Sequence, residues 1–256
     1  RLAAVVDPQA DLAQATAKQF DCIACSNLEV LLKRCPLLRA VSVAAPTHVH
    51  VPLTQSLIRH GIACLVEKPL APTIEDARQL LEVAQSRDVV VQVGHTERFN
   101  PAVRAVEAMN ITPRYMEVHR ISPMTFRSLD VGVVMDMMIH DLDIVLMLAD
   151  TTLKRVDATG VAVLGEHEDV ANARLVFDSG CVASLTASRL AMRTDRKLRI
   201  FSEDAYVTLD YQKRSGLVLR KSGHIETLQS VRRQLKAGED LTDLDYSQML
   251  NMEQLT

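Results

Sequence analysis

The segment IACLVEKPLAPTIEDARQLLEVAQSRDVVVQV, residues 62–93, determines the fold class predicted for this chain. Residues 62–66 form a short apolar run typical of a buried strand, and residues 89–93 form a second run of this kind. Between them, Thr73 can cap a helix over Ile74–Ser86. Apolar strands joined by helices are typical of a parallel sheet that is covered on both faces. The segment therefore predicts an α/β architecture.

The same alternation extends back to the first residue. Apolar runs typical of strands occupy residues 2–6 and 40–44. Helices are predicted over residues 11–19, Leu28–Arg34 and residues 51–59, and a loop over residues 45–50 precedes the last of them. The first part of the chain is therefore predicted to be one parallel α/β domain.

The pattern changes after Phe99-Asn100-Pro101, so we place a domain boundary near residue 100. Beyond it, residues 102–109 are predicted to be helical, Tyr115–Ile121 alternates like a strand, and residues 131–149 form one long apolar helix. Short strands joined by turn residues follow, as expected for an antiparallel sheet. They are predicted at residues 155–163, 170–177, 182–189, 197–201, 206–209, 217–220 and 225–229, and the polar tail after Ser230 is expected to be helical or mobile.

Composition and charge exclude several classes of protein. The formal net charge of −3 gives no basic surface for nucleic acid. The 48% hydrophobic and 24% charged residues match the averages of soluble globular proteins, and no run approaches the ~18 apolar residues of a membrane span. No signal peptide is visible. We therefore expect a soluble cytoplasmic protein without a membrane or nucleic-acid partner.

The five cysteines predict neither a disulfide framework nor a metal site. Their number is odd, and Cys22 and Cys25 form a C-x-x-C pair that no second pair completes. We expect reduced thiols, as is usual inside the cell.

The stretch MDMMIHDLD, residues 135–143, places Asp136 and His140 four residues apart on the long apolar helix. Side chains at this spacing lie one above the other on an α-helix. Ionisable groups on an apolar helix cost free energy unless they are paired, bind a ligand or take part in chemistry. A third group, Lys68, stands just where the strand of residues 62–66 ends. Lys68, Asp136 and His140 are therefore a candidate set for moving a proton.

A carboxylate-plus-histidine metal site is the alternative, because Asp141 and Asp143 follow directly. Neighbouring positions of a helix point about 100° apart, so these carboxylates, Asp136 and His140 cannot all converge on one ion. We therefore predict no metal.

The motifs Glu67-Lys68-Pro69, Gly94-His95, Arg98-Phe99-Asn100-Pro101 and D-x-x-x-H-D at residues 136–141 resemble the glucose–fructose oxidoreductase / inositol dehydrogenase / MocA family. These are nicotinamide-dependent dehydrogenases that act mostly on sugars and cyclitols. The likeness runs through essentially the whole chain. Residues 120–123 and 131–136 are most similar to the MviM-like branch, which includes UDP-N-acetylglucosamine 3-dehydrogenases.

This resemblance implies a Rossmann-type parallel-sheet domain over residues 1–100 and an α+β domain with a large antiparallel sheet over residues 101–256. Members of the family begin with a strand, a G-x-G-x-x-G loop and a helix that bind the pyrophosphate. That first βα unit, of roughly 30 residues, is missing ahead of residue 1. Either a further segment precedes Arg1 or pyrophosphate binding has been lost. We expect the former, because an apolar strand edge would otherwise be exposed.

The resemblance also implies NAD as the cofactor, with NADP disfavoured. Asp7 would accept hydrogen bonds from the adenosine ribose and repel a 2′-phosphate, although a turn residue before Pro8 is the alternative. Glu67 would contact the nicotinamide ribose or form a structural ion pair. The loop before the third helix would pass the nicotinamide end of the cofactor, or its histidines would simply be solvated. Its candidate contacts are Ala45, Pro46, Thr47, His48 and His50, and Lys68 completes the cofactor set.

For the reaction, the resemblance implies hydride transfer between NAD and a hydroxyl of a sugar or nucleotide sugar, with C3 of UDP-N-acetylglucosamine among the candidates. Lys68 would stabilise the developing oxyanion and His140 would accept the hydroxyl proton. Asp136 would bind a sugar hydroxyl, orient His140, or do both. A core histidine, a non-catalytic dinucleotide- or sugar-binding regulator and an NAD-dependent glycosidase remain the alternatives.

The predicted antiparallel sheet also suggests self-association. Residues 182–187 carry apolar side chains on both faces of their strand, and one face must already cover the long helix. A second apolar face is usually buried against another subunit. We expect a homo-dimer or homo-tetramer that associates through this sheet.

Overall fold

A computed structural model describes residues 1–125, 131–221 and 250–255. The chain divides into two compact units, Arg1–Gly94 and His95–Thr256. The division lies a few residues before the boundary that the sequence suggested.

The first unit alternates strands and helices along its whole length. The strands pair in parallel, β1 with β2 in one sheet and β3, β4 and β5 in that order in another. The predicted α/β Rossmann-type architecture is confirmed. Its elements are β1 Ala4–Val6, α1 Ala10–Phe20, β2 Ile23–Cys25, α2 Leu28–Arg34, β3 Ala40–Val43, α3 Thr47–Arg59, β4 Ala63–Val66, α4 Ile74–Ser86 and β5 Val91–Val93.

Two local features of this unit differ from the prediction. Strand β2 was not predicted, because its apolar segment, residues 22–25, is shorter than the five-residue segments that contain β1 and β5. Helix α3 begins at Thr47, so residues 47–50 are helical and the predicted loop was wrong. Pro52 therefore lies inside α3, whereas proline is usually found in the first turn of a helix or at a break. The predicted cap is confirmed, since the hydroxyl oxygen of Thr73 accepts a hydrogen bond from the backbone N–H of Asp76 at 3.1 Å.

The core of this unit lies between its strands and helices. One cluster includes Val43, Leu57 and Val66, of which Val66 is fully buried, and a second is built on Ile58 and Leu80. Each such side chain contributes roughly 1.5–3 kcal/mol of transfer free energy when it is buried. This packing fixes the strands, and with them the residues that follow each strand.

The second unit contains an eight-stranded sheet in the order β13-β12-β11-β10-β6-β9-β8-β7, with helices packed on one face. The α+β prediction is confirmed. The sheet is mostly antiparallel, but β6 and β9 run parallel. Its helices and strands are α5 Pro101–Ala108, β6 Tyr115–Ile121, α6 Ile139–Ala149, β7 Leu153–Val161, β8 Val170–Phe177, β9 Val182–Ser188, β10 Asp195–Phe201, β11 Ala205–Asp210, β12 Ser215–Lys221 and β13 Leu250–Leu255.

The end of the chain also differs from the prediction. Leu250–Leu255 is a strand that pairs with β12, so the expected helical or mobile tail was wrong for these residues. The strand predicted at residues 225–229 lies outside the described residues. No helix in the described part of the chain is long and apolar enough to cross a membrane.

The predicted long helix of residues 131–149 begins with a π-helical turn at Val134–Met138 before α6 starts. The N–H of Ile139 bonds to the carbonyl oxygen of Val134, five residues back, which is the π pattern. Glu168 caps this turn, because its carboxylate accepts the N–H of Val134 at 3.1 Å. The same carboxylate occupies the space that a Cβ atom on Gly132 would need, so any other residue here would displace the carboxylate from this turn.

Candidate active site

In the first unit, the predicted cofactor residues lie at the carboxyl ends of the parallel strands. Asp7 follows β1, Ala45 lies two residues after β3, Glu67 follows β4 and Gly94 follows β5. Ligands of open α/β sheets bind at these ends. The parallel pairing of β3, β4 and β5 brings the residues after these three strands to one edge.

Asp7 is partly buried and already engaged by its own loop. Its Oδ1 atom accepts the backbone N–H of Gln9 at 2.8 Å, and its own N–H donates to the carbonyl oxygen of Cys25 at 3.2 Å. The turn role considered above is therefore present. It leaves Oδ2 to meet a ribose hydroxyl, so the two roles are compatible.

The residues that lead into α3 differ in their access to solvent. Pro46 and His48 are exposed, and Ala45 and Thr47 are partly buried. His50 is 1% exposed, so the expectation of a solvated loop histidine was wrong for it. Its Nδ1 lies 2.8 Å from the carbonyl oxygen of Pro69 and its Nε2 lies 2.7 Å from that of Ala45. With both ring nitrogens bonded to backbone, direct contact between His50 and a cofactor is disfavoured.

Glu67 and Lys68 follow β4 directly, and both are partly buried. The N–H of Glu67 donates to the carbonyl oxygen of Val43 at 2.9 Å, which continues the pairing of β4 with β3. The Glu67 carboxylate packs over Gly94, where a Cβ atom would lie 3.2 Å from it. The peptide bond between Lys68 and Pro69 is cis.

In the second unit, Asp136 lies in the π-helical turn and His140 is the second residue of α6. Both are partly exposed, so the cost of burying charge does not single them out. The buried acid on this helix is Asp141, which is 1% exposed. The free-energy cost of burying an ionisable group, which was expected for Asp136, therefore applies to Asp141. π-helical turns are frequent at functional sites, so Asp136 remains a candidate site residue.

Asp141 forms a buried ion pair with Arg120 on β6. The Nε of Arg120 donates to Oδ2 at 2.6 Å and its Nη2 donates to Oδ1 at 2.9 Å. Glu97 adds a third contact to Nη2 at 3.3 Å, and the guanidinium lies 5.3 Å from the centroid of the Tyr211 ring. Burial would lower the pKa of Arg120, but the Asp141 carboxylate more than offsets this and holds the pKa above its ordinary value. Burial raises the pKa of Tyr211 well above 10.

Sequence reasoning missed Arg120, although the signal was present. Met116 and Val118 point into the core, and Arg120 has the same parity on β6. An arginine on the apolar face of a strand requires a buried acid as its partner. Tyr211 gave no such signal, because a core tyrosine looks like any other aromatic residue.

Asp143 forms an ion pair with a different arginine from the one that binds Asp141. It accepts two hydrogen bonds from Arg98, from Nε and from Nη2, each at 2.6 Å, and its Oδ2 lies 4.0 Å from Nδ1 of His95. Each of the two aspartates is thus oriented by its own arginine. Within residues 1–125, 131–221 and 250–255, no cluster of three His, Cys, Asp or Glu side chains is arranged to hold a metal ion.

Two family models together cover most of the chain. Residues 1–95 match the GFO/IDH/MocA model of an oxidoreductase family with an NAD-binding Rossmann fold, and residues 102–208 match the GFO/IDH/MocA C-terminal domain. The UDP-N-acetylglucosamine 3-dehydrogenase of Acidithiobacillus ferrooxidans is 37% identical over 212 residues, which is 82% of this chain and 67% of that protein. The chain belongs to the GFO/IDH/MocA family.

Further relatives and solved structures are similar to this chain. The solved structure of the Acidithiobacillus ferrooxidans enzyme matches with a TM-score of 0.79 at 36% identity, covering 85% of this chain and 71% of that one. A dTDP-3,4-didehydro-2,6-dideoxy-alpha-D-glucose 3-reductase of Streptomyces violaceoruber is 27% identical over 68% of this chain and 58% of its own length. An inositol dehydrogenase homolog of Azotobacter vinelandii, solved with NADH and myo-inositol, has a TM-score of 0.79 at 18% identity, covering 88% of this chain and 66% of its own; it shows the fold alone.

These matches confirm the predicted family and branch, the fold class, an NAD(P)-dependent dehydrogenase acting on CH–OH groups, and NAD as the cofactor of the family. The chain spans about two thirds or less of the length of the curated relatives described above. The roles of single residues remain predictions.

Proposed function

We propose that this protein is an NAD-dependent dehydrogenase of a nucleotide sugar, with the C3 hydroxyl of UDP-N-acetylglucosamine as the substrate group. The observation that carries this proposal is the 37% identity to a UDP-N-acetylglucosamine 3-dehydrogenase over 82% of the chain. Lys68, Asp136 and His140 are proposed to supply the proton-handling groups that the reaction requires.

The edge formed by the ends of β3, β4 and β5 fits a dinucleotide. Gly94 brings the backbone close to the Glu67 carboxylate and leaves no side chain between them, so that carboxylate can accept hydrogen bonds from a ribose. Asp7 is proposed to bind the adenosine ribose, and Ala45, Pro46, Thr47 and His48 to contact the nicotinamide end. Bound NAD supplies the hydride acceptor.

The chain's own side chains are proposed to handle the proton. As the carbinol C–H bond breaks and its hydride leaves, the hydroxyl O–H bond also breaks and its proton passes to the imidazole of His140. The Lys68 ammonium donates a hydrogen bond to the same oxygen, which stabilises the negative charge that develops there. Asp136 binds a neighbouring hydroxyl or orients His140. In the reverse direction, His140 returns the proton to the alkoxide.

The experiment is NADH formation by the full-length protein, measured at 340 nm. UDP-N-acetylglucosamine is compared with UDP-glucose, free N-acetylglucosamine and myo-inositol at equal concentrations. We expect the highest kcat/KM for UDP-N-acetylglucosamine. NAD binding without turnover of any sugar would favour the regulatory alternative, and cleavage of a glycoside without net NADH formation would favour the glycosidase. Either result would overturn this proposal.

Self-association through the large sheet is part of the proposal. Tyr115, Phe201 and Tyr206 pack against one another across β6, β10 and β11 with tilted rings, whose centroids are 5.9 and 4.9 Å apart. Their neighbours in sequence Met116, Ile200 and Val207 point into the core, so the three rings lie on the outer face. We propose that this face is the contact of a homo-dimer or homo-tetramer. Analytical ultracentrifugation that finds monomer alone at micromolar concentration would contradict it.

We propose a cytoplasmic location, because the cysteine thiols are free. All five cysteines are free, and Cys25, Cys64 and Cys181 are buried. Burial raises the pKa of Cys64 to about 11 and also raises those of Cys25 and Cys181. Such thiols are unreactive core residues, which are compatible with a reducing compartment.

A further inference from the structure

His50 joins the two loops that carry the proposed nicotinamide and proton-handling residues. Its ring lies 2.7 Å from the carbonyl oxygen of Ala45, after β3, and 2.8 Å from that of Pro69, after β4. Because β3 and β4 are neighbours in one sheet, a single buried side chain connects the ends of two adjacent strands. The loop after β4 contains Lys68.

The chemistry of this contact is directional. A carbonyl oxygen can only accept, so each hydrogen bond uses an N–H of the imidazole ring. A neutral ring has one N–H and the imidazolium has two, so the ring donates to one loop in the neutral form and to both in the charged form. An apolar side chain of similar size would fill the same space but would leave both carbonyl oxygens without their partner.

As a result, the backbone is hydrogen-bonded on both sides of Lys68. On its N-terminal side, the N–H of Glu67 donates to the carbonyl oxygen of Val43 at 2.9 Å. On its C-terminal side, the carbonyl oxygen of Pro69 lies 2.8 Å from Nδ1 of His50 and accepts a hydrogen bond from it when Nδ1 carries a proton. The backbone from which the Lys68 side chain extends is therefore fixed between β3 and α3.

We infer that His50 is a positioning residue for Lys68, acting through the carbonyl of Pro69. This inference rests on the proposed dehydrogenase function, in which Lys68 stabilises charge in the transition state. A misplacement of about 1 Å at a reacting group can cost roughly 10²-fold in rate. The effect belongs mainly in kcat, because the interaction strengthens as the negative charge develops.

Three substitutions separate the two hydrogen bonds. The amide nitrogen of asparagine can occupy the place of Nδ1, so His50→Asn keeps the bond to Pro69 and loses the bond to Ala45. The longer glutamine reaches the place of Nε2, so His50→Gln does the reverse. His50→Leu loses both. His60→Asn is the control, because His60 is an exposed histidine at the C-terminal end of the same helix.

The first measurement is kcat and KM of the full-length protein for UDP-N-acetylglucosamine under saturating NAD. We expect His50→Leu and His50→Gln to lose roughly 10–100-fold in kcat with little change in KM, and His50→Asn and His60→Asn to stay within about threefold of wild type. A thermal melt of each variant is recorded alongside. Equal kcat values for the asparagine and glutamine variants, or losses that follow the melting temperature alone, would overturn the inference.

The second measurement does not need turnover. Hydrogen–deuterium exchange of a peptide spanning residues 64–72 reports the order of the Lys68 loop. Exchange should quicken in His50→Leu and His50→Gln and stay near wild type in His50→Asn. If wild type oxidises no sugar, the proposed function fails, while this exchange pattern still tests the anchoring of the loop. Unchanged exchange in all three variants would overturn the anchoring role.

Discussion

Arg120 and Asp141 form a buried ion pair directly beside His140. Two hydrogen bonds of 2.6 and 2.9 Å join them, and the side chains are 4% and 2% exposed. Asp141 stands next to His140 near the start of α6, and Arg120 stands on β6 in the middle of the sheet. The pair therefore fixes the rotation of the helix that presents His140.

Breaking this pair should be strongly destabilising. Asp141→Asn leaves a buried guanidinium that keeps the more distant Glu97 as an acidic neighbour, and we expect a loss of about 3–5 kcal/mol in the free energy of unfolding. Asp143→Asn is the matched control. Its partner Arg98 is 47% exposed, so we expect a loss of about 1 kcal/mol or less. Urea unfolding of the three proteins measures both values.

The double variant Arg120→Met with Asp141→Leu sharpens the test. It removes both charges together, so we expect it to be more stable than Asp141→Asn alone. Equal losses of unfolding free energy in Asp141→Asn and Asp143→Asn would show that the buried pair contributes no more to stability than the exposed one.

A second buried pair predicts how stability depends on pH. The carboxylate of Asp169 accepts the N–H groups of Leu164 and Val163, both at 2.7 Å, and the Nε of Arg189 at 2.6 Å. These donors, the backbone groups first, hold the pKa of Asp169 well below its usual range. A carboxyl whose pKa is depressed by folding stabilises the protein above its unfolded pKa of about 4, and this stabilisation is lost as the pH falls below that value.

We therefore expect Asp169→Asn to lower stability at pH 7 and to flatten the fall in stability between about pH 4 and pH 2. The control is Asp178→Asn, because Asp178 is an exposed turn residue. Unfolding free energies measured at pH 7, 4 and 3 give the slope. A variant with the same acid slope as wild type would contradict the assignment of this carboxyl.

Cofactor choice should depend on the charge of Asp7. Asp7→Asn keeps an oxygen that can accept the N–H of Gln9, so the turn is preserved while the charge is removed. A carboxylate repels the 2′-phosphate of NADP, and we expect the preference for NAD over NADP to fall by about tenfold or more in this variant. Asp7→Ser should show the same change. Ratios of kcat/KM with the two cofactors measure it, and a wild-type protein that prefers NADP would refute the role of Asp7.

The elements that could be predicted were those with a clear local signal. Thr73 and the apolar spacing after it gave the bounds of α4, and the alternation of Tyr115–Ile121 gave β6. Strand β2 and the π-helical turn leave no such signal. The apolar segment around β2 is shorter than those around β1 and β5, and the π-helical turn depends on Glu168 reaching from a later loop. The parallel pairing of β6 with β9 also joins residues far apart in sequence.

The candidate site shows the same division. Strand ends could be located, so the positions of Asp7 after β1 and of Glu67 and Lys68 after β4 could be predicted. The burial of His50 could not be predicted, because it depends on carbonyl groups from two separate loops. Asp141 was noticed as part of the family motif and as a possible metal ligand, but not as half of a buried ion pair, since its arginine partner comes from another element. Side chains that act through tertiary contacts become visible when their partners are in place.

The last prediction concerns the chemistry. If His140 accepts the hydroxyl proton, His140→Ala should lower the single-turnover rate of NADH formation by roughly 10²–10⁴-fold, with NAD binding close to wild type. Lys68→Ala should cause similar damage, and the double variant should lose less than the product of the two single losses, because the residues act on one proton transfer. Asp136→Asn keeps the shape and removes the charge, so its loss should be milder. His60→Ala is the control, and a His140→Ala protein that retains most of its rate would show that D-x-x-x-H is structural here.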